Sequence, residues 1–194
     1  MTRIAGFFEW INSSESSEKY CQTLLEELST NVNWPSKKRF VFSSSDQKVS
    51  LGWCGWKHSK TEEFFNANKL TLVLDGAIYN KSDFNWTKST SELVIDLYKT
   101  FGFEETIKRL NGDFAIALYD DEQKTLWLAR DRFGIRPLYY VQTKNFIAFA
   151  SKPKCLSKLP GVSQAFNPYF VARFAGTHYR YIDNEPSQSP YKQI

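Results

Sequence analysis

The chain has 194 residues, enough for one domain with a sizeable core, and it is 42% hydrophobic and 16% aromatic. A formal net charge of only +4, with no block of five or more Lys/Arg, argues against a nucleic-acid partner. Cys21, Cys54 and Cys155 are an odd set at unrelated spacings, and His58 and His178 stand alone, which argues against a disulfide framework and against a metal site.

Residues 1–11 are charged and lack the apolar run of a secretory leader, and nothing approaches the roughly 18 consecutive apolar positions of a membrane span. A cytoplasmic location with no membrane partner is therefore expected. Ile4, Ala5, Gly6, Phe7 and Phe8 read as a buried first strand running to Trp10. Ser13 to Ser17 form a polar cap, and Tyr20, Cys21, Leu24, Leu25 and Leu28 fall at helical spacing, so a helix is predicted over 16–29. Pro35 lies in the break that follows. Lys37-Lys38-Arg39 is the densest basic run and reads as a solvated strand end or loop.

Two strands are predicted around a turn at 44–47: Phe40 to Ser43, and Val49 to Trp56. The aromatic set Trp53, Trp56, Phe64 and Phe65 reads first as core packing, with a partner groove as the second reading. Leu70 to Leu74 is another strand, leading into Asp75-Gly76-Ala77-Ile78-Tyr79-Asn80. Ser89 and Glu92 have capping-box spacing ahead of the stripe Leu93, Val94, Leu97 and Tyr98, and a short helix over 104–110 follows.

The most informative stretch is LNGDFAIALYDDEQKTLWLARDRFGIRPLYYVQTKNFIAFASKPK, residues 110–154. Phe114, Ile116 and Leu118 alternate with Ala115, Ala117 and Tyr119 at period 2, and Leu126 and Leu128 alternate with Trp127 and Ala129. Arg130-Asp131-Arg132 reads as a turn-fixing ion-pair and hydrogen-bond network, and Gly134 can supply a positive φ beside it. Strands at 138–141 and 146–151 complete a meander. A last short helix is expected over 167–174, ended by Gly176.

The long motif R-D-R-x-G-x-x-P-L-Y-Y, preceded by L-N-G-D-F-A-I-A-L-Y-D and followed by F-A-S-K-P-K, resembles the N-terminal glutamine amidotransferase half of the asparagine synthetase family. The resemblance is strong over 70–154. It implies an α+β fold: the four-layer αββα sandwich of two antiparallel sheets of N-terminal-nucleophile hydrolases. It also implies that residues 1–160 form the amidotransferase-like domain. Residues 161–194 would lead to an ATP-dependent synthetase domain, since no S-G-G-x-D sequence is present here. The chain would then be an excised domain or one part of a split protein. The domain itself needs no cofactor; ATP and Mg are implied for the synthetase domain.

The same resemblance assigns site positions and shows departures. Thr2 stands where the family has its cysteine nucleophile, and Arg3 follows where glycine is usual. Asp75 replaces the asparagine whose amide forms half of the oxyanion hole; Gly76 and Ala77 continue that substrate-binding segment. Thr90 replaces the aspartate that holds the glutamine α-amino group, and the arginine for the glutamine carboxylate is missing from the 52–56 region. A hydroxyl is a weak nucleophile without an adjacent base, and a carboxylate aimed at a developing oxyanion repels it. Cys54 as a displaced nucleophile is the lesser reading beside a small buried thiol.

The leading expectation is thus a degenerate glutaminase-like domain of an asparagine-synthetase-like, amide-forming protein. It would scaffold the synthetase domain, in cis or trans, or help bind that domain's small-molecule or peptide substrate. Synthetases that activate a carboxylate with ATP without using glutamine, lasso-peptide cyclases among them, resemble this pattern. Two other classes remain: an active glutaminase half supplying ammonia, and a peptide- or partner-binding module. A homodimer is left open.

Overall fold

Strand alternation divides the side chains into three packing layers, and a computed structural model shows where each goes. It describes residues 2–11, 16–30, 37–56, 64–177 and 189–194. One sheet has the order β2-β3-β1-β9-β8, built from Arg3–Glu9 (β1), Lys37–Ser43 (β2), Val49–Trp56 (β3), Tyr139–Gln142 (β8) and Phe146–Ala150 (β9). The other has the order β4-β5-β6-β7, from Phe64–Ala67 (β4), Leu70–Ile78 (β5), Gly112–Asp120 (β6) and Thr125–Arg130 (β7). All pairings are antiparallel.

Between the sheets lies one core layer: Ile4, Val49, Leu51, Trp53 and Phe149 from the first, Val73, Ala115, Ala117 and Tyr119 from the second. The alternate residues face outward. In β5 and β6, Leu72, Leu74, Phe114, Ile116 and Leu118 pack under the helices Thr90–Phe101 (α2) and Phe103–Arg109 (α3). In β1, Ala5 and Phe7 pack under Ser17–Ser29 (α1) and Pro153–Leu156 (α4). The result is the expected αββα order. Each buried leucine of these layers contributes roughly 1.5–3 kcal/mol by leaving water.

The helix signals act as local chemistry requires. Cys21, Leu24, Leu25 and Leu28 form the buried stripe of α1, and Ser16 caps its N-terminus. The Ser89–Glu92 capping box forms in full at α2, which Gly102 ends at φ 77°. No helix among the described residues is long and apolar enough to cross a membrane.

Several expectations change. The four strands of the 110–154 stretch do not form a single meander: β6 and β7 belong to one sheet, β8 and β9 to the other. The segment between β7 and β8 therefore crosses between sheets. Phe64–Ala67 is an edge strand, and β5 runs on to Ile78. Pro153 starts the short helix α4. The last helix, Pro168–Thr177 (α5), runs through Gly176. Trp53 is buried between the sheets, with Phe64 packed against that layer and Phe65 against the helical one, so these three serve packing. His58, His178 and Ser13 lie outside the described residues, as does the side chain of Trp56.

Candidate functional site

Thr2 and Asp75 come together because each continues the inward-facing register of its strand. Thr2 lies two residues before Ile4, and Asp75 two residues after Val73; Ile4 and Val73 both point into the inter-sheet core. At this end of the sandwich Thr2 Oγ1 donates to Asp75 Oδ1 at 2.6 Å. Both residues are only 3% exposed. Ser151 fixes the approach of β1: its Oγ accepts from the Ile4 N–H at 2.9 Å, and its own N–H donates to Ile4 O at 3.0 Å. Arg3 is turned away toward α1, where its guanidinium donates to Leu28 O near the helix C-terminus.

The crossing segment supplies the third member. Asp131 is buried, and its carboxylate accepts the backbone N–H groups of Phe133, Ile135 and Arg136 at 3.0, 3.0 and 2.9 Å. Gly134 takes φ 64° in the same turn. The turn is fixed by Asp131 gathering backbone donors, and it delivers Arg136, whose Nη1 stands 3.4 Å from Asp75 Oδ1. Arg136 Nε is buried with no hydrogen-bond partner among the described residues.

Thr2, Asp75, Ser151 and Arg136 border a cleft of about 440 Å³ that also takes in Tyr139, Lys152 and Lys154. Burial pushes the Asp75 carboxyl above the ordinary carboxylate range, opposed by the Thr2 hydroxyl bond and by the charge of Arg136. Desolvation, and then Arg3, pull the Lys152 ammonium below its ordinary value. Among the described residues no group of three or more His, Cys, Asp or Glu side chains could hold a metal.

Of the residues singled out from sequence, Thr2 and Asp75 line this cleft. Gly76, Ala77 and Thr90 do not. Gly76 sits at φ +132°, where a Cβ would lie 1.9 Å from Asp113 O, so only glycine lets β5 approach β6 there. Ala77 is its neighbour in β5, paired with Asp113. Thr90 is the buried first residue of α2. Asn80 pins the turn before β6, donating to Arg109 O at 3.0 Å and accepting from the Asn111 N–H at 2.9 Å. Cys54 is fully buried on β3, paired in register with Arg3, and burial pushes its thiol up to about 12, which suits a core residue and not a nucleophile. Sequence reading missed Arg136, Lys152 and Lys154. Their signal was present: cations within and just after the long motif, Arg136 at one of its variable positions.

The model of the glutamine amidotransferase domain family matches residues 60–194, well over half of the chain. The chain belongs to that family. As a glutamine amidotransferase domain it is similar to a putative glutamine-hydrolysing asparagine synthetase of Methanocaldococcus jannaschii, with 40% identity over 94 residues, 44% of this chain and 17% of that protein. It is also similar to the glutamine-hydrolysing asparagine synthetases of Bos taurus and Homo sapiens, with 34% and 35% identity over 61% of this chain and 22% of each relative. The chain thus spans about a fifth of the length of these relatives. Among solved structures, the B. subtilis glutamine phosphoribosylpyrophosphate amidotransferase complexed with ADP and GMP superposes with a TM-score of 0.58 over 80% of this chain and 43% of that one, at 15% identity. At that identity the likeness concerns the fold, and the amidotransferase domain seen here shares its two stacked sheets.

Proposed function

We propose that this amidotransferase domain has lost glutamine hydrolysis and serves an asparagine-synthetase-like, ATP-dependent amide-forming protein as scaffold or substrate-binding half. One observation carries the reading: the Thr2 hydroxyl donates its proton to Asp75 at 2.6 Å, and Arg136 faces the same carboxylate oxygen. The resemblance puts a thiol and an amide donor at these two places. Here a carboxylate occupies the place of the donor. It offers a developing oxyanion repulsion instead of a hydrogen bond, and losing one such donor alone costs on the order of 10²–10³ in rate. Residues 161–194 would lead toward the synthetase domain. ATP and Mg would belong to that domain, which would meet this one in cis or trans.

The same 2.6 Å contact gives the active alternative its best support, because a hydroxyl bonded to a carboxylate has a base at hand. Glutamate release from glutamine, on protein whose mature N-terminus is checked by intact mass, separates the two. The proposal expects no release above a Thr2→Ala control, even with Met1 removed. Release that disappears in Thr2→Ala would overturn it and make Thr2 a working nucleophile.

A further inference from the structure

The cleft at Thr2 is strongly unbalanced in charge. Among the described residues its charged lining is Arg136, Lys152 and Lys154 against the acid Asp75, with Arg3 at its edge engaged on Leu28 O. Arg136 already faces Asp75, so that carboxylate is engaged. No ion pair is formed by Lys152 or Lys154 among the described residues. Lys152 is part-buried beside Arg3 and Lys154, and burial together with these two neighbours weakens its hold on its proton. Crowding cations in a partly dry recess is unfavourable unless an anion completes the set. The buried, unpartnered Nε of Arg136 adds a donor of the kind that an ordered water or ligand ordinarily satisfies.

We propose that this cleft binds a small polyvalent oxyanion, held by Lys152 and Lys154 with Arg136 behind them. The inference deepens the reading of the domain as a substrate-binding half and rests on it. The volume of about 440 Å³ falls at the small end of ligand pockets. It suits a dicarboxylate or a short phosphate ester and not a folded partner. The shared recognition chemistry is charge-assisted hydrogen bonding from ammonium and guanidinium groups to oxyanion oxygens. The cleft differs in kind from one built for glutamine, whose side chain is neutral and whose backbone groups carry opposite charges. Asp75 sets the far limit of the bound anion, because its carboxylate would repel a second negative charge.

Isothermal titration calorimetry of the full chain with inorganic pyrophosphate and, separately, with glutarate tests this. At least one probe should bind saturably, weaken as salt is raised, and lose about tenfold or more in affinity in the Lys152→Gln/Lys154→Gln variant. Lys108→Gln, on exposed α3, should leave affinity unchanged. Preference for pyrophosphate assigns a phosphate ester, preference for glutarate a dicarboxylate, and equal binding a site that accepts either oxyanion. No binding of either probe, or equal binding by the double variant, overturns the proposal. If the double variant does not fold, backbone amide shifts of Thr2, Asp75 and Lys152 in the wild-type chain on titration decide instead: movement upholds the site and stillness overturns it. Glutamate release on the same sample reads the other proposal separately. Anion binding accompanied by turnover would overturn the loss of glutaminase alone. Absence of both would overturn the anion site alone.

Discussion

Thr2 Oγ1 lies 2.6 Å from Asp75 Oδ1, across the gap between two sheets and 73 residues apart in sequence. The hydroxyl is the donor and the carboxylate the acceptor, so the hydrogen bond runs opposite to what an oxyanion hole requires. Replacing the nucleophile alone should therefore not restore chemistry. Thr2→Cys is expected to release no more glutamate than Thr2→Ala, whereas Thr2→Cys/Asp75→Asn should exceed Thr2→Cys by roughly 10²-fold at saturating glutamine. Coupled glutamate detection measures both, and turnover by Thr2→Cys alone would contradict the argument.

Asp75 should also leave a signature in stability against pH. Burial raises its folded carboxyl above the unfolded value of roughly 3.9. Between those two values the folded state binds more protons than the unfolded state, so stability falls as pH rises through the window. Below the unfolded value no penalty remains. Asp75→Asn mimics the neutral acid, so its Tm relative to wild type should climb as pH is raised from about 4 to 7. A flat difference across thermal melts would show that the carboxyl is not perturbed.

Arg136 offsets part of that penalty. Its side chain is 28% exposed and the Asp75 side chain 4%, placing the pair between the surface and fully buried cases. Arg136→Met should cost about 1–3 kcal/mol at neutral pH in urea unfolding. Adding Asp75→Asn should recover part of the loss. Simple additivity of the two substitutions would mean the ion pair carries no coupling.

Gly76→Ala is expected to be severe. The added Cβ would meet Asp113 O at 1.9 Å, backbone against backbone, at a φ of +132°. Nothing there is a flexible side chain that could swing away. A loss of more than about 3 kcal/mol, or failure to fold, should follow; a near-native Tm would mean that β5 and β6 can separate locally.

The three cysteines should be silent in the native state. All are buried, and burial raises each thiol, Cys155 to about 11, Cys54 to about 12 and Cys21 further still. Iodoacetamide at pH 8 should label none within minutes and all three in denaturant, as read by intact mass. Rapid labelling of Cys54 would reopen its reading as a nucleophile.

Sequence by itself determined what depends on neighbours along the chain. The period-2 runs of β6 and β7, the stripe of α1, the Ser89–Glu92 capping box and the long motif were all legible, because propensity, alternation and capping act over a few residues. The motif also carried the family and, through it, the sandwich. Tertiary structure alone decided which sheet each strand joined, because identical alternation serves either. It split the 110–154 stretch between both sheets and turned Asp131 into the anchor that brings Arg136 to Asp75, 61 residues away. Lys152 and Lys154, quoted from sequence only as part of F-A-S-K-P-K, gained a place in the site when folding set them beside Arg136 and a buried carboxylate in one cleft. A charge acquires its meaning from its three-dimensional neighbours and its distance from water, and neither is written in sequence order.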